Sequence, residues 1–307
     1  MAKAAYKVDG AATEVALRTR IRSKRRKNII FVAAAIFALI LLVLAFWQGI
    51  IVRHYTEKSD KLTAPIRMMV LSDLHSTIYG KDQKDLIEII HSQAPDVIFL
   101  VGDIADDRVP HDGTKQLIAR IGKEYPCYYV SGNHEYWSGE IGTIKGMMRA
   151  SGIMVLEGDS KVIEINGQSL RICGVDDPDG FLPPYKESGA VRPAHWSDQL
   201  EACDKYTKDD IYTILLSHRP EKVNDYNKCR FDLILCGHAH GGQVRIPGIL
   251  NGLYAPNQGF FPKYVGGYYK LENSTMIVSR GLVKNDIPRI FNPPEIVIID
   301  VKPTHPL

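Results

Sequence analysis

The chain has 307 residues, with 38 Lys and Arg against 35 Asp and Glu, which is length for one large domain or two small ones. Residues 1–28 hold nine Lys and Arg against Asp9 and Glu14, a balance of +7 that leaves −4 for the rest of a chain whose net charge is +3. The folded body therefore lacks the clustered cations of a nucleic-acid groove, and no nucleic-acid partner is expected, whereas a phosphorylated substrate is compatible with this charge.

The basic leader, residues 1–28, ends in "RTRIRSKRRK". It runs into residues 29–52, apolar throughout except for Gln48 and Gly49. Eighteen or more apolar residues suffice for a helix to cross the roughly 30 Å hydrocarbon core, so a transmembrane helix is expected over 29–52. Trp47 suits the interface, and the seven cations in ten residues before the helix hold the N-terminus in the cytoplasm, sending the main domain across the membrane. A cleaved signal peptide is the competing reading, but the stretch is long for one and no small-x-small site follows. Residues 53–65 read as a polar linker, and residues 66–307 as the domain that carries function. The five cysteines, Cys127, Cys173, Cys203, Cys229 and Cys236, are odd in number and mostly lie in apolar runs, as expected of buried thiols.

From Ile66 onward, apolar runs repeatedly break off into polar, glycine-bearing turns. They are "IRMMVLSDLH" (66–75), "DVIFLVGDIAD" (96–106), "CYYVSGNHE" (127–135), "LRICGVDD" (170–177), "IYTILLSHRP" (211–220) and "FDLILCGHAH" (231–240). Helical patterns start at Lys84 and Thr114, so the expected class is α/β, with parallel strand–helix units. Residues 178–208 read as a long loop and a short helix from about Trp196. From Gly252 the pattern suggests a second, more antiparallel sheet.

Chemistry-bearing residues collect where the apolar runs end: Asp73 and His75, Asp103, Asn133 and His134, His218, then His238 and His240. In an open α/β sheet those C-terminal strand ends line the ligand crevice. In extended backbone, residues two apart point the same way, so each two-residue step is expected to present a pair of ligands. Three Asp or Asn oxygens and four imidazoles exceed the needs of one tetrahedral zinc and suit two divalent ions of Mn, Fe or Zn. Such a pair acidifies a shared water for attack on phosphorus. Arg219, Arg245, Arg280 and Arg289 are candidates for holding a phosphate, with Arg219 and Arg245 foremost.

The blocks "DLH", "GDIAD", "GNHE", "LLSHRP" and "GHAHGGQ", in this order over roughly residues 66–300, resemble the calcineurin-like metallophosphoesterases. The leading apolar segment, "APNQGFFPKYVGGYY" and "VSRGL…PRIFNPPEI" look like a membrane-anchored bacterial subgroup related to UDP-2,3-diacylglucosamine pyrophosphatase. The resemblance implies a four-layer α/β/β/α sandwich. It assigns Asp73, His75 and His240 to one metal and Asn133, His218 and His238 to the other, with Asp103 bridging. It leaves His134 unligated near the phosphate as the catalytic proton donor. The implied activity is hydrolysis of a phosphodiester, pyrophosphate or phosphomonoester on a small-molecule or lipid substrate. The alternatives are a scaffold of the same fold without turnover and a cytoplasmic-facing nucleotide phosphodiesterase. The residues do not select an oligomeric state.

Overall fold

The computed structural model describes residues 2–183, 195–284 and 287–305, with side chains from residue 13 onward. It divides into two units, Met1–Trp47 and Gln48–Leu307. The first is a single helix, α1 (Ala2–Ala45), whose stretch Thr13–Ala45 is long and apolar enough to cross a membrane. Ile29, Phe31, Val32, Ile36 and Phe37 are all exposed, so its apolar surface is not confined to one face. The helix runs through the basic leader and stops at Ala45, short of the expected boundary at 52. Ile50 and Val52 instead pack against a core of the second unit.

That unit is built on two six-stranded sheets. The first contains, in spatial order, β1 (Ile51–Ser59), β14 (Glu295–Pro303), β2 (Ile66–Leu71), β3 (Val97–Val101), β4 (Cys127–Val130) and β5 (Met154–Val155). The second runs β12 (Gly267–Lys270), β13 (Thr275–Val278), β9 (Leu233–Cys236), β8 (Tyr212–Leu216), β7 (Gln168–Gly174) and β6 (Asp159–Ile165). A two-stranded hairpin joins β10 (Tyr254–Ala255) to β11 (Gly259–Phe260). Strands β2 to β5 are parallel, as are β7, β8, β9 and β13, while β14 lies antiparallel to β2.

The period of two along each strand sorts its side chains into layers. Met69, Leu71, Ile98 and Leu100 point outward to Leu86 and Ile90 of α2 (Lys84–Gln93), Leu117 and Ile121 of α3 (Asp112–Glu124) and Met148 of α5 (Ile141–Ala150). Met68, Val70, Phe99 and Val101 point inward, meeting Ile214 and Leu216 of β8 and Leu233 and Leu235 of β9 between the sheets. Leu215, Ile234 and Cys236 face the far side. There they pack on Leu200 of α6 (Trp196–Asp204) and Tyr226 of α7 (Val223–Tyr226). The result is the four-layer α/β/β/α sandwich. All five cysteines are buried and free.

Three expectations change. Residues 53–65 are not a linker: most of them form edge strand β1, paired in parallel with β14 from Ile51–Glu295 to Ser59–Pro303. The sites do not lie on one open sheet, since β8 and β9 belong to the second. The antiparallel region after Gly252 is not a separate sheet: β12 and β13 extend the second, and β14 returns to the first. The short helix from Trp196 is present, and residues 184–194 of the expected loop lie outside the described residues.

Candidate metal centre

The C-terminal ends of β2, β3, β4, β8 and β9 converge at one rim of the sandwich, and the strand-end residues meet there. Asp73, His75, Asp103 and His240 bring ligand atoms within 4.8 Å of one another, and so do Asp103, His218 and His238. Asp103 is common to both groups. Its Oδ2 lies 3.0 Å from His218 Nε2 and 3.7 Å from His75 Nε2, while its Oδ1 accepts the His134 backbone N–H at 2.9 Å. One oxygen is thus fixed by the backbone and the other faces both groups. In Asp73 a single oxygen, Oδ1, both accepts the His238 backbone N–H at 2.8 Å and lies 3.4 Å from His240 Nε2.

The backbone that delivers these groups is not extended. Asp73, His75, Asp103, His238 and His240 all have positive φ, between 46° and 67°. The turns between residues part His238 and His240, which join different groups, whereas Asp73 and His75 still reach the same one. Each left-handed residue costs about 1–2 kcal/mol, and such strain persists only where surrounding contacts hold it. Glu135 supplies much of that hold. Fully buried at the start of the short helix α4 (Asn133–Trp137), it accepts N–H bonds from Asp103 (2.9 Å), Ile104 (2.7 Å), Ala105 (3.0 Å) and Gly132 (2.7 Å). Gly237 makes room for a ligand: a Cβ there would lie 2.6 Å from Asp73 Oδ2.

Four of the imidazoles, those of His75, His134, His218 and His238, are held through one nitrogen, which orients the other. His218 Nδ1 donates to the Val101 carbonyl at 2.8 Å, leaving Nε2 toward Asp103. His75 Nδ1 faces Asp106 Oδ2 at 2.8 Å, leaving Nε2 toward the same carboxylate. His238 Nε2 lies 2.9 Å from Asn257 Oδ1, an oxygen that also accepts Arg219 Nη1 at 2.7 Å. Arg219 Nη1 also lies 3.2 Å from His238 Nε2, so both contacts engage Nε2 and leave Nδ1 to offer. His134 Nδ1 pairs with Asp107 Oδ1 at 2.6 Å, turning Nε2 away from it. Outer partners of this kind set tautomer and orientation in metal-binding histidines. Asp106, Asp107, Glu135 and Asn257 were not among the expected site residues.

Charge follows from these surroundings. Burial raises the carboxyls of Asp73 and Asp103, but the histidines beside them more than offset it. His240 holds Asp73 low and His218 holds Asp103 well below the usual range. Burial keeps His240 on the neutral side, and for His238 burial and the Arg219 cation do so strongly. Burial also disfavours charge on His218, yet Asp103 and Asp73 push it up to about 10. Five buried atoms of the expected ligand set make no hydrogen bond, Asp73 Oδ2, His75 Nε2, Asp103 Oδ2, Asn133 Oδ1 and His218 Nε2, although Asp103 Oδ2 and His218 Nε2 face each other as an ion pair at 3.0 Å. Leaving one buried polar group unsatisfied costs about 1–3 kcal/mol, so a convergence of five fits divalent cations with mixed N and O ligands.

The arginines fare differently. Arg219 is buried and committed to Asp177, with Nε–Oδ2 at 2.5 Å and Nη2–Oδ1 at 2.8 Å, and to Asp179 at 3.0 Å. It buttresses His238 through Asn257 and is spoken for before any substrate arrives. Arg245 donates to Asn251 at 2.5 Å and lies beside Arg280; burial and that neighbour pull it down to about 10. Arg289 spends its guanidinium on the carbonyls of Arg280, Gly281, Val283 and Asn292. None of these four lines the cleft of about 840 Å³ over the metal centre, whose cations are Arg108 and Lys284. The loop from Tyr254 divides: Val265 and Tyr264 pack, Pro256 lines the cleft, and Phe260 and Phe261 are exposed.

A sandwich whose two sheets deliver carboxylates and imidazoles to two linked groups sharing one aspartate defines a metal-dependent phosphoester hydrolase. The calcineurin-like phosphoesterase profile matches residues 66–242. An uncharacterized metallophosphoesterase of Aquifex aeolicus is 30% identical over 82% of this chain and 91% of its own length. The uncharacterized metallophosphoesterase YkuE of Bacillus subtilis is 26% identical over 78% and 80%. A protein of Danio rerio named transmembrane protein with metallophosphoesterase domain is 28% identical over 80% of this chain and 55% of its own. The chain belongs to the calcineurin-like phosphoesterase family.

Proposed function

We propose that this chain is a membrane-anchored phosphoesterase with two divalent cations, Mn, Fe or Zn. Asp73, His75 and His240 would hold one, Asn133, His218 and His238 the other, and Asp103 would be shared by both. The observation that carries this reading is the set of five buried ligand atoms that make no hydrogen bond. When bound, the two cations supply Lewis acidity toward a phosphoryl oxygen and acidify water. The chain's own residues do the rest. Asp73 and Asp103 stay ionised and His238 and His240 stay neutral, the forms that ligation requires. His134 lines the cleft, its ring edge-on to His75 at 4.4 Å and against Trp137 at 4.7 Å. Asp107 holds Nδ1, so Nε2 is the atom that gives a proton to the leaving oxygen.

The helix over Ile29–Phe46, apolar on every face, is read as a single-pass anchor. The cations before it place the N-terminus in the cytoplasm and the catalytic unit outside. The substrate is a phosphodiester, pyrophosphate or phosphomonoester of a lipid or envelope compound. Apolar Ile78, Val109 and Trp137 beside cationic Arg108 and Lys284 in the cleft support such an amphiphile.

The test is hydrolysis of bis-p-nitrophenyl phosphate by the full chain with Mn²⁺, Zn²⁺ or Fe²⁺, with and without EDTA. Metal-dependent turnover is expected. Its absence with every metal favours the scaffold without turnover. Protease accessibility of the catalytic unit in intact cells tests the orientation.

A further inference from the structure

We infer that the rim carrying the metal centre docks on the lipid bilayer through exposed apolar side chains, so that the phosphoester attacked is one at the membrane surface. The inference rests on reading α1 as an anchor and starts from strand direction. β1 is parallel to β14, and β14 is antiparallel to β2. The first residue of β1, Ile51, therefore lies at the edge of the sheet where β2 ends and Asp73 and His75 emerge. The chain enters the catalytic unit at the active-site rim, not at the opposite end. The apolar helix stops at Ala45 and β1 begins at Ile51. Trp47, whose indole suits the interface, precedes Ile51 by four residues, about 14 Å at full extension. So short a connection keeps this edge of the sheet close to the headgroups.

Backbone contacts tie the point of entry to the loops that bear the apolar groups. Gln48 Nε2 donates to the Arg289 carbonyl at 3.0 Å, and the Ile290 and Arg245 amides cross-pair segments 243–245 and 290. Gln243 Nε2 reaches the Ile287 carbonyl, the Leu253 amide reaches Gly242, and Phe261 N–H donates to Leu253 at 2.8 Å. Ile249 is 84% exposed, Phe260 and Phe261 each 71%, and Ile287 65%, while Ile78 and Ile287 also line the cleft. A group of large apolar residues this exposed, rimmed by polar ones, marks an interaction surface. The rim's charge is mixed, Arg108 and Lys284 lining the cleft together with Asp106 and Asp112, so the attraction is apolar insertion and not electrostatic. The turn between β10 and β11 places Asn257 on His238 and Phe260 outside, which couples the docked hairpin to a metal ligand.

The experiment uses the full chain in nanodiscs of phosphatidylcholine, with ordinary or with 9,10-brominated acyl chains, in a Trp47→Phe background. The added variants are Phe261→Trp, Ile249→Trp and, on the middle of edge strand β6, Val162→Trp. Bromine quenches indoles that enter the acyl region. The indoles introduced at 261 and 249 are expected to lose about half of their emission or more, and the one at 162 none, by the depth an interfacial side chain reaches. No loss at 261 and 249, while Trp47 in the unsubstituted chain is quenched, overturns the docking. Equal loss at all three positions overturns it as well, since the unit then has no preferred face. Shielding of 261 from acrylamide without bromine quenching assigns the surface to a protein partner and also overturns it. Hydrolysis of bis-p-nitrophenyl phosphate on the same nanodiscs separates the two readings: unquenched but active chains sink the docking alone.

Discussion

Glu135 offers the sharpest test of how the centre is built, because it is buried, touches no expected substrate and holds four backbone N–H groups. Oε1 accepts from Ile104 and Ala105, and Oε2 from Asp103 and Gly132. In Glu135→Gln, whichever way the amide turns, its NH₂ meets two of those donors in place of an acceptor. Each buried donor left unsatisfied costs about 1–3 kcal/mol, so the change destabilises the catalytic unit by about 2–6 kcal/mol. That is a large part of an ordinary domain's total of about 5–15 kcal/mol. In urea unfolding of the EDTA-treated chain, followed by near-UV circular dichroism, the midpoint falls by about 1 M or more. The loop that carries Asp103 loosens too, so metal per chain, measured by plasma mass spectrometry after dialysis, drops with it. An unchanged midpoint together with unchanged metal content would refute the reasoning, because the four bonds would then be holding nothing.

The remaining expectations separate ligands from their supports. His134→Ala lowers turnover by about 10² to 10⁴, the span of a proton-transfer group, while metal content stays near wild type; Asp103→Ala empties both positions. Loss of metal in His134→Ala refutes that division. Arg219→Met strands the buried Asp177 carboxylate and destabilises the unit by about 3–5 kcal/mol, while any folded fraction keeps its KM; a raised KM at normal stability would restore Arg219 to substrate binding. His218, pushed up to about 10 by Asp103 and Asp73, carries a proton in the metal-free chain at neutral pH. Ligation needs the neutral ring, so uptake of metal at pH 7 releases that proton, and apparent affinity rises about tenfold per pH unit until roughly that value. Calorimetry in buffers of different ionisation enthalpy counts the protons, and a count of zero contradicts the assignment.

The residue types at the strand ends were legible because a buried strand advertises its end: an apolar run breaks into glycine or serine and then into Asp, Asn or His. All eight such residues reach one rim. Which sheet each strand joins was not legible, since a strand covered on both faces gives the same unbroken apolar run in either sheet. β1 was missed for the opposite reason. As a half-buried edge strand it alternates polar and apolar residues, and with Arg53, His54, Glu57 and Lys58 in it the segment passes for a tether. Asp106, Glu135 and Asn257 were present in quoted blocks and Asp107 follows one directly, but a carboxylate that orients a histidine looks in sequence like one that caps a helix. Only the fold distinguishes them.

The expectation of paired presentation holds for Asp73 and His75 but fails for His238 and His240, and that failure explains the site better than success would have. Had residues 237–241 been extended, His238 and His240 would have faced the same way and served one cation. The left-handed turns at 238 and 240 part them: His238 joins Asp103 and His218, and His240 joins Asp73 and His75. The same turn brings the His238 amide onto Asp73 Oδ1, so the strain in one ligand segment is held by the carboxylate of another. Asp103 is locked in the same way, through the His134 amide. Each carboxylate thus gives one oxygen to the scaffold and keeps the other for the centre. Substitution of either aspartate therefore removes a ligand and also releases a backbone turn that positions a second one, so paired substitutions such as Asp73→Ala with His238→Ala should fall short of the sum of their single effects on metal affinity.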